Sequence, residues 1–578
     1  MIAARRLSGR EEFHRRVFET LLGGAWQRQE LALEAGDAAA VQALLARWVA
    51  EAPALDEFGL MRLLAARQPL RLLTAATGLP PAAFLRQVLA LGDADLRQPQ
   101  ALPAWKRAKL AALGDAALLA PAALEAWEAL DAVQARIAAI AALDTCPLDA
   151  GLAAATAAIG AWLAGKPAVD ALPPRYLGLL QNSAFLVSYL ADPGRHDFKR
   201  AIARQAAHML SPLRSAAVPA RQPSAAARPR LTIVGELLFP AHAMYRCYAE
   251  ALAELPQQFD VTLVTDEPTR CPEHAGFSQR QLYFAPHERD AGVIARLVRS
   301  SEPDIVLYPS VGMTFWTFAL SQLRLAPLQL MSVGHPAPGC SEHIDGTLLY
   351  RDLARAPLPD YGLLIPYDRQ PLPSAPPSGW QARSGATQAG APRVVAVNAA
   401  AMKLNPRFLG LLRQLLEQAP PRTELHFFPN LHGLELAGLR RELGAWFPEA
   451  LVHASTGYAD YMNLMARADL LLQSFPFGGT NTAMDALALG LPMVCLRSAD
   501  LPALVDPVLL EHAGLGELCA DSSEDYLRLA SRLLNDAAEL ERMRGLARGA
   551  LARLQAAEVA GTTSMADAIL ATWRARAP

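Results

Sequence analysis

The chain has 578 residues, of which 52% are hydrophobic and 19% charged, and 54 Lys and Arg against 56 Asp and Glu leave a formal net charge of −2. That balance gives no support to a nucleic-acid binder, which needs a strongly basic face. The apolar content excludes a disordered chain, and no apolar run reaches the ~18 residues of a membrane-spanning helix.

At roughly 100–200 residues per domain the length predicts three to five domains. The opening segment, MIAARRLSGREEFHRR, is charged where a secretory signal needs an apolar stretch. Cys146, Cys247, Cys271, Cys340, Cys495 and Cys519 form no CxxC pair, so neither a disulfide framework nor a zinc cage is expected. The expectation is a cytoplasmic protein without membrane insertion and without a nucleic-acid partner.

Residues 1–213 read as helix throughout. Apolar positions recur at helical steps, as in Leu31, Leu33, Val41, Leu44, Leu45, Trp48 and Val49. Prolines fall between segments, as at Pro80-Pro81 and Pro173-Pro174, where they start or stop helices. An all-α domain is predicted there. Residues 214–229, RSAAVPARQPSAAARP, lack an apolar period and read as a linker.

The pattern then changes. LTIVGELLF (231–239), FDVTLVT (259–265), DIVLYPS (304–310) and APLQLMSVG (326–334) are short apolar runs separated by helical stretches such as AMYRCYAEALAEL (243–255). This alternation predicts a parallel α/β sheet in a half spanning 230–385. A second linker falls at 370–392, and the alternation restarts in a half spanning 386–578. There RVVAVNA (393–399), TELHFFP (423–429), DLLLQSFPF (469–477) and PMVCLRS (492–498) are the strands. Two such halves face each other across a cleft at their strand ends, where a ligand binds.

The most informative segment is DLLLQSFPFGGTNTAMDALALG (469–490). A strand runs into Gly478-Gly479, and Thr480-Asn481-Thr482 opens a helix. Glycines let a ligand approach the backbone, and the unpaired first amides at the positive end of the dipole suit a phosphate. Asp485 follows one turn later, placed to accept from two ribose hydroxyls. The plain alternative is an ordinary turn with Thr480 as N-cap. Lys403 follows the strand 393–399 in the same half, where its charge can neutralise a diphosphate leaving group. His453 follows the short apolar Leu451-Val452 and is placed to pack on, or bond to, a nucleobase. Asp93-Ala94-Asp95 has the form of a metal-binding DxD but lies in the helical region, and no metal site is predicted.

These segments carry a resemblance. YPSVGMTFWTFALSQLRLAPLQLMSVGHPA (308–337), AMKLNPRFL (401–409), AHAMYR (241–246) and YADYMNLMARADLLLQSFPFGGTNTAMDALALGLPMVC (458–495) resemble the cytoplasmic bacterial N-glycosyltransferases of the HMW1C type, members of family 41 and relatives of the O-GlcNAc transferases. The resemblance implies an α/β GT-B fold, two Rossmann-like domains facing a cleft, behind an N-terminal all-α domain. It implies inverting, metal-independent transfer of a hexose, typically glucose from UDP-glucose, onto Asn in Asn-X-Ser/Thr sequons of an adhesin-like acceptor protein. No cofactor beyond the UDP-hexose donor is expected.

Carried over by position, Lys403 would contact the diphosphate, His453 the uridine, Thr480, Asn481 and Thr482 the phosphates, and Asp485 the ribose. His242 would lie at the facing edge near sugar and acceptor, as a catalytic residue with Lys403. His335 would sit on a loop of the first half. The chain departs from relatives at Ala243, Ala400 and Pro338-Gly339, where they place hydroxyl or amide side chains. By the resemblance, each loss would remove a potential hydrogen bond to diphosphate or sugar, worth ~0.5–1.5 kcal/mol if neutral and more if to a charge. The alternatives are an O-linked transferase acting on Ser or Thr, and a weakly catalytic accessory protein that binds an adhesin.

Overall fold

The computed structural model describes residues 35–51, 57–170, 172–215, 228–355, 357–368, 392–556 and 563–576. The expectations placed on Leu31 and Leu33, on most of the first linker (216–227) and on nearly all of the second (370–391) lie outside the described residues.

Among the described residues, every regular element before Arg230 is a helix, from Ala35–Glu51 to Arg195–Met209. Pro81 and Pro121 occupy the first helical position of Pro81–Leu89 and Pro121–Glu128, where a missing N–H costs nothing. Asp131 and Asp149 cap the helices that follow them, accepting from Gln134 and Leu152 amides. Pro69 breaks the expected rule. It lies inside Glu57–Thr77, where it is buried, so packing overrides the local penalty. Asp93 and Asp95 have local structural partners: Asp95 accepts the Gly92 amide at its own helix start at 2.8 Å, and Asp93 pairs at 2.7 Å with Arg86 of the preceding helix.

Two all-parallel sheets follow. The first has the order β3-β2-β1-β4-β5-β6-β7, with β1 Arg230–Val234, β2 Asp260–Asp266, β3 Arg280–Phe284, β4 Ile305–Tyr308, β5 Leu328–Ser332, β6 Gly346–Tyr350 and β7 Leu364–Tyr367. The second has the order β10-β9-β8-β11-β12-β13, with β8 Arg393–Val397, β9 Thr423–Phe427, β10 Leu451–Val452, β11 Leu470–Leu472, β12 Met493–Leu496 and β13 Cys519–Ala520. Strands β4 and β5 are buried at every residue, as strands covered by helices on both faces must be. β3, β6, β7 and β13 were not legible in the sequence. β3 is a polar edge strand and β13 has two residues, so neither has a period to recognise.

In each sheet the chain reverses direction of growth beside its first strand, between β1 and β4 and between β8 and β11. The loops beyond the carboxyl ends of those strands leave a crevice, and they carry the site described below.

The helical part is not a detached module. One hydrophobic core runs from Val41 and Leu45 through Trp127, Ile140 and Phe198 into Val234, Val264, Val306 and Trp316 of the first half. It also reaches the second half, through an Arg195–Asp500 ion pair of 2.9 Å.

The last helix corrects the division drawn from sequence. Met565–Arg574 was placed with the half spanning 386–578, but its apolar face packs on the first sheet. Met565, Ile569 and Trp573 are buried with Leu231, Ile233 and Leu263. Arg576 pairs with Asp345 at 2.8 Å at the same junction. Helical periodicity tells which face is apolar and not which surface covers it. Trp573 is 4% exposed. Replacing it by Ala is expected to cost about 3–5 kcal/mol and to loosen the junction between the halves, read as a lower urea midpoint.

Candidate active site

The loop Gln473–Gly479 leaves β11 and turns into the helix Thr480–Leu489. It is fastened at several points. The Ser474 hydroxyl donates to the Phe477 carbonyl at 2.6 Å, Asn405 Nδ2 to the Phe475 carbonyl at 2.7 Å, and the Tyr526 hydroxyl to the Gln473 carbonyl at 2.9 Å. Asn405 also caps its own helix, accepting from the Phe408 amide at 3.1 Å, so one side chain ties the loop after β8 to the loop after β11.

Glycine is required at both positions of Gly478-Gly479. A Cβ on Gly478 would overlap the Asp506 carboxylate, and one on Gly479 the Thr482 hydroxyl. Gly479 is the N-cap, and Thr480 is the first helical residue, so Thr480 does not serve as the cap. The amides of Thr480, Asn481 and Thr482 precede the first bonded amide, Ala483 on Gly479, and stand at the positive end of the helix.

Lys403 ends a short 3₁₀ turn after β8, and its Nζ donates to the Gly478 carbonyl. Burial pulls its ammonium below the usual lysine range, while Asp506 pulls it back up. Asp506 is 2% exposed and accepts the Gly479 amide at 2.8 Å. Burial pushes its carboxyl up to about 6, although the Gly479 amide and Lys403 both favour the charged form.

Asp485 is buried, and both oxygens are in use. Oδ1 accepts from Arg246 at 3.0 Å and from the Tyr458 hydroxyl at 2.7 Å, and Oδ2 from the Tyr461 hydroxyl at 3.3 Å. Arg246 belongs to the helix Ala243–Ala253 of the first half, so this ion pair spans the cleft. Asn481 does the same by donating to Cys247 Sγ at 3.5 Å.

His453 stacks on Phe428, with ring centroids 4.5 Å apart and 10° between planes. It hydrogen-bonds His426 at 3.1 Å, and His426 in turn meets Glu424 at 3.3 Å. Burial, His426, Arg440 and Arg467 all hold His453 neutral. Phe428 meets Tyr461 edge-on at 6.3 Å, which links the His453 stack to Asp485.

Across the cleft, His242 caps its helix, its Nδ1 accepting the Met244 amide at 3.2 Å. Its proton is therefore on Nε2, and burial keeps the ring neutral. His335 is buried at the end of β5, against Phe185 and Tyr189 of the helical part at 4.9 and 5.5 Å. Tyr189 packs at 4.5 Å on Phe477 of the glycine loop, so three parts of the chain meet there.

Lys403 and the 480–482 turn are joined through Gly478-Gly479, and Asp485 lies one turn further along the same helix. His453 is reached from them through Tyr461 and Phe428, whereas His242 comes from the opposite half. Sequence reasoning missed Arg246, Glu236 and Asp506. Glu236 is 1% exposed and accepts from Ser310, Met313, Thr314 and Thr317, lacing the loop after β1 to the loop after β4. A lone acid within an apolar run, as in VGELLF or ALVDPVLL, was the available signal for Glu236 and Asp506.

Residues 450–557, which include His453, the glycine loop, Asp485 and Asp506, match the model of glycosyl transferase family 41. This chain is similar to the family 41 enzymes. A UDP-glucose:protein N-beta-glucosyltransferase of Actinobacillus pleuropneumoniae serotype 5b is 26% identical over 312 residues, 53% of this chain and 50% of that protein. Its counterpart in serotype 7 is 29% identical over 245 residues, 42% of this chain and 40% of that protein. The matched stretch thus spans half or less of these relatives. A probable UDP-N-acetylglucosamine–peptide N-acetylglucosaminyltransferase SPINDLY of Hordeum vulgare is 33% identical over 118 residues, 20% of this chain and 12% of that protein. The solved structure of an O-GlcNAc transferase mutant of Thermobaculum terrenum superposes with a TM-score of 0.60 at 18% identity, covering 98% of this chain and 99% of that one. The family 41 likeness extends to the fold, which is GT-B: two facing parallel α/β domains behind a helical region.

Asp506 generates a test. A carboxyl raised in the folded state adds stability that is fully present below its unfolded value near 4 and is lost as pH rises through about 6. Asp506→Asn keeps the acceptor for the Gly479 amide without the charge. It is expected to be more stable than wild type by on the order of 2 kcal/mol at pH 7.5, and the gap should close towards pH 4.5 in urea titrations. A gap independent of pH would exclude this origin.

Proposed function

We propose that the chain is a UDP-hexose-dependent protein glycosyltransferase that transfers a hexose, glucose in the first instance, to the side-chain amide of Asn in Asn-X-Ser/Thr sequons of an adhesin-like protein. The observation that carries this reading is the Lys403 ammonium lying on the Gly478 carbonyl, beside the free amides that open the helix Thr480–Leu489. A cation and unpaired amides at the switch point of a parallel sheet suit a diphosphate. The names of the bacterial relatives supply the glucose donor and the nitrogen acceptor.

In this mechanism the acceptor nitrogen attacks the anomeric carbon from the side opposite UDP. The carbon–nitrogen bond forms as the bond to the diphosphate oxygen breaks, the electron pair leaves with UDP, and the nitrogen gives up one proton to solvent water. Lys403 and the helix amides hold the developing negative charge, so the proposal assigns this work to the protein and to no metal. Asp485, already fixed by Arg246, Tyr458 and Tyr461, is the ribose acceptor. His453, backed by Phe428, offers its open face to the uracil. His242 presents Nε2–H towards the sugar side. The shared core places the helical region beside the first half, where a polypeptide acceptor enters.

A second reading, transfer to Ser or Thr hydroxyls, draws on the resemblance of part of the chain to the SPINDLY proteins. One experiment separates the two. The protein is incubated with UDP-glucose, or UDP-N-acetylglucosamine, and peptides carrying Asn-X-Thr, and the modified residue is located by mass spectrometry. A hexose on Asn is expected, sugar on Thr would favour the second reading, and no mass increase with any UDP-sugar would favour an accessory protein. Lys403→Ala is expected to lower turnover by about 100-fold or more. Near wild-type turnover at saturating UDP-glucose would reject its role.

A further inference from the structure

Lys199 lies on the helix Arg195–Met209 of the helical region, and it is 2% exposed. Its Nζ has no hydrogen-bond partner among the described residues. The acids on its helix, or paired with its helix, are committed elsewhere. Asp197 pairs with Arg200, Asp360 with His196 and Arg200, and Asp500 with Arg195. Burial pulls the Lys199 ammonium below the usual lysine range, and of the two groups that pull it back up, the Cys340 thiol is itself kept protonated by burial and Glu236 spends its oxygens on Ser310, Met313, Thr314 and Thr317.

His335 has the same property. The Tyr189 hydroxyl, which burial keeps protonated, lies 3.5 Å from Nδ1 and is placed to donate to it. That leaves the proton on Nε2, which is buried and also has no partner among the described residues. Lys199 and then Lys403 are the charges that, after burial, hold His335 neutral. His335 lies against Tyr189 where Tyr189 packs on Phe477, and its amide donates to the Ser310 hydroxyl, which in turn donates to Glu236.

Buried N–H donors are almost always paired, and an ammonium is the costliest to leave unpaired. Both orphans here are donors, so their complement is a group rich in acceptor oxygens. We propose that Lys199 and His335 together bind the oxygens of the sugar-diphosphate donor, so that the helical region supplies one wall of the donor pocket. This rests on the UDP-hexose reading and goes beyond it, because it gives the all-α region a direct part in donor binding. Diphosphate and hexose oxygens share the required chemistry.

The test is Lys199→Met, which keeps the length and removes the charge, with Lys199→Gln as a second variant. Thermal unfolding is followed alone, with UDP and with UDP-glucose, and affinities are measured by calorimetry. Without nucleotide, both variants are expected to unfold at or above the wild-type temperature, because a buried unpaired charge is gone. With UDP-glucose, the affinity is expected to fall about 10-fold or more, the scale of a hydrogen bond to a charged group. The same loss with UDP alone assigns the contact to the diphosphate; a loss seen only with UDP-glucose assigns it to the hexose. Unchanged affinity in both variants overturns the inference, as does a markedly lower unfolding temperature without nucleotide, which would make Lys199 a structural residue. If the wild-type protein takes up neither UDP nor UDP-glucose, the UDP-hexose reading itself fails and the inference falls with it.

Discussion

The turn at Gly478-Gly479 is gripped from two sides. Lys403 reaches the carbonyl of the first glycine, and Asp506 takes the amide of the second. A Cβ on the first glycine would overlap Asp506, and one on the second the Thr482 hydroxyl. The grip aligns a strand end, a cation and the opening of a helix, and those are the parts from which an anion site is made. It also sets two opposite charges in a place with little water, so each feels burial and the other's field. The remaining features of the site are arranged around this turn: Asp485 along the same helix, Phe477 against Tyr189, and Asn405 stitching the neighbouring loop to it.

Three of the contacts between the two halves bear on the cleft and its hinge side. Arg246 pairs with Asp485, Asn481 meets Cys247, and the helix Met565–Arg574 returns to lie on the first sheet. The first two are polar and lie in the cleft. The third lies far from it and is apolar. Such a division suits a protein whose halves must stay joined while the cleft between them adjusts. The helical region adds a further tie, since it shares a core with the first half and an ion pair with the second.

His453 and His242 illustrate how neighbours give similar side chains different tasks. His453 is backed by an aromatic ring and chained through His426 to Glu424, which leaves one face available for stacking. His242 spends Nδ1 on a helix amide and presents the opposite nitrogen as a donor. Both are neutral because burial disfavours the charged ring. Ala243, Ala400 and Pro338 carry no hydrogen-bonding side chain, and Lys199 Nζ and His335 Nε2 have no hydrogen-bond partner among the described residues.

Local pattern alone was enough for the alternation of strands and helices, and for the glycine turn with Thr480–Thr482 opening a helix and Asp485 one turn along it, because strand, turn and helix are written in consecutive residues with recognisable periods; it put Lys403 at a strand end of the same half, and the contact with Gly478, 75 positions away, is tertiary. It was also enough for the helical character of the described part of the N-terminal region. It was not enough for β3 or β13, which are too polar or too short to show a period, nor for the surface that covers the helix Met565–Arg574. The partners Arg246 for Asp485, Asp506 for Gly479 and Lys199 beside His335 were decided by the tertiary structure alone. They are brought together over 239, 27 and 136 positions of chain. Charge, burial and the protonation state that follows from them belong to such distant neighbours, and a one-dimensional pattern holds no record of distance in space.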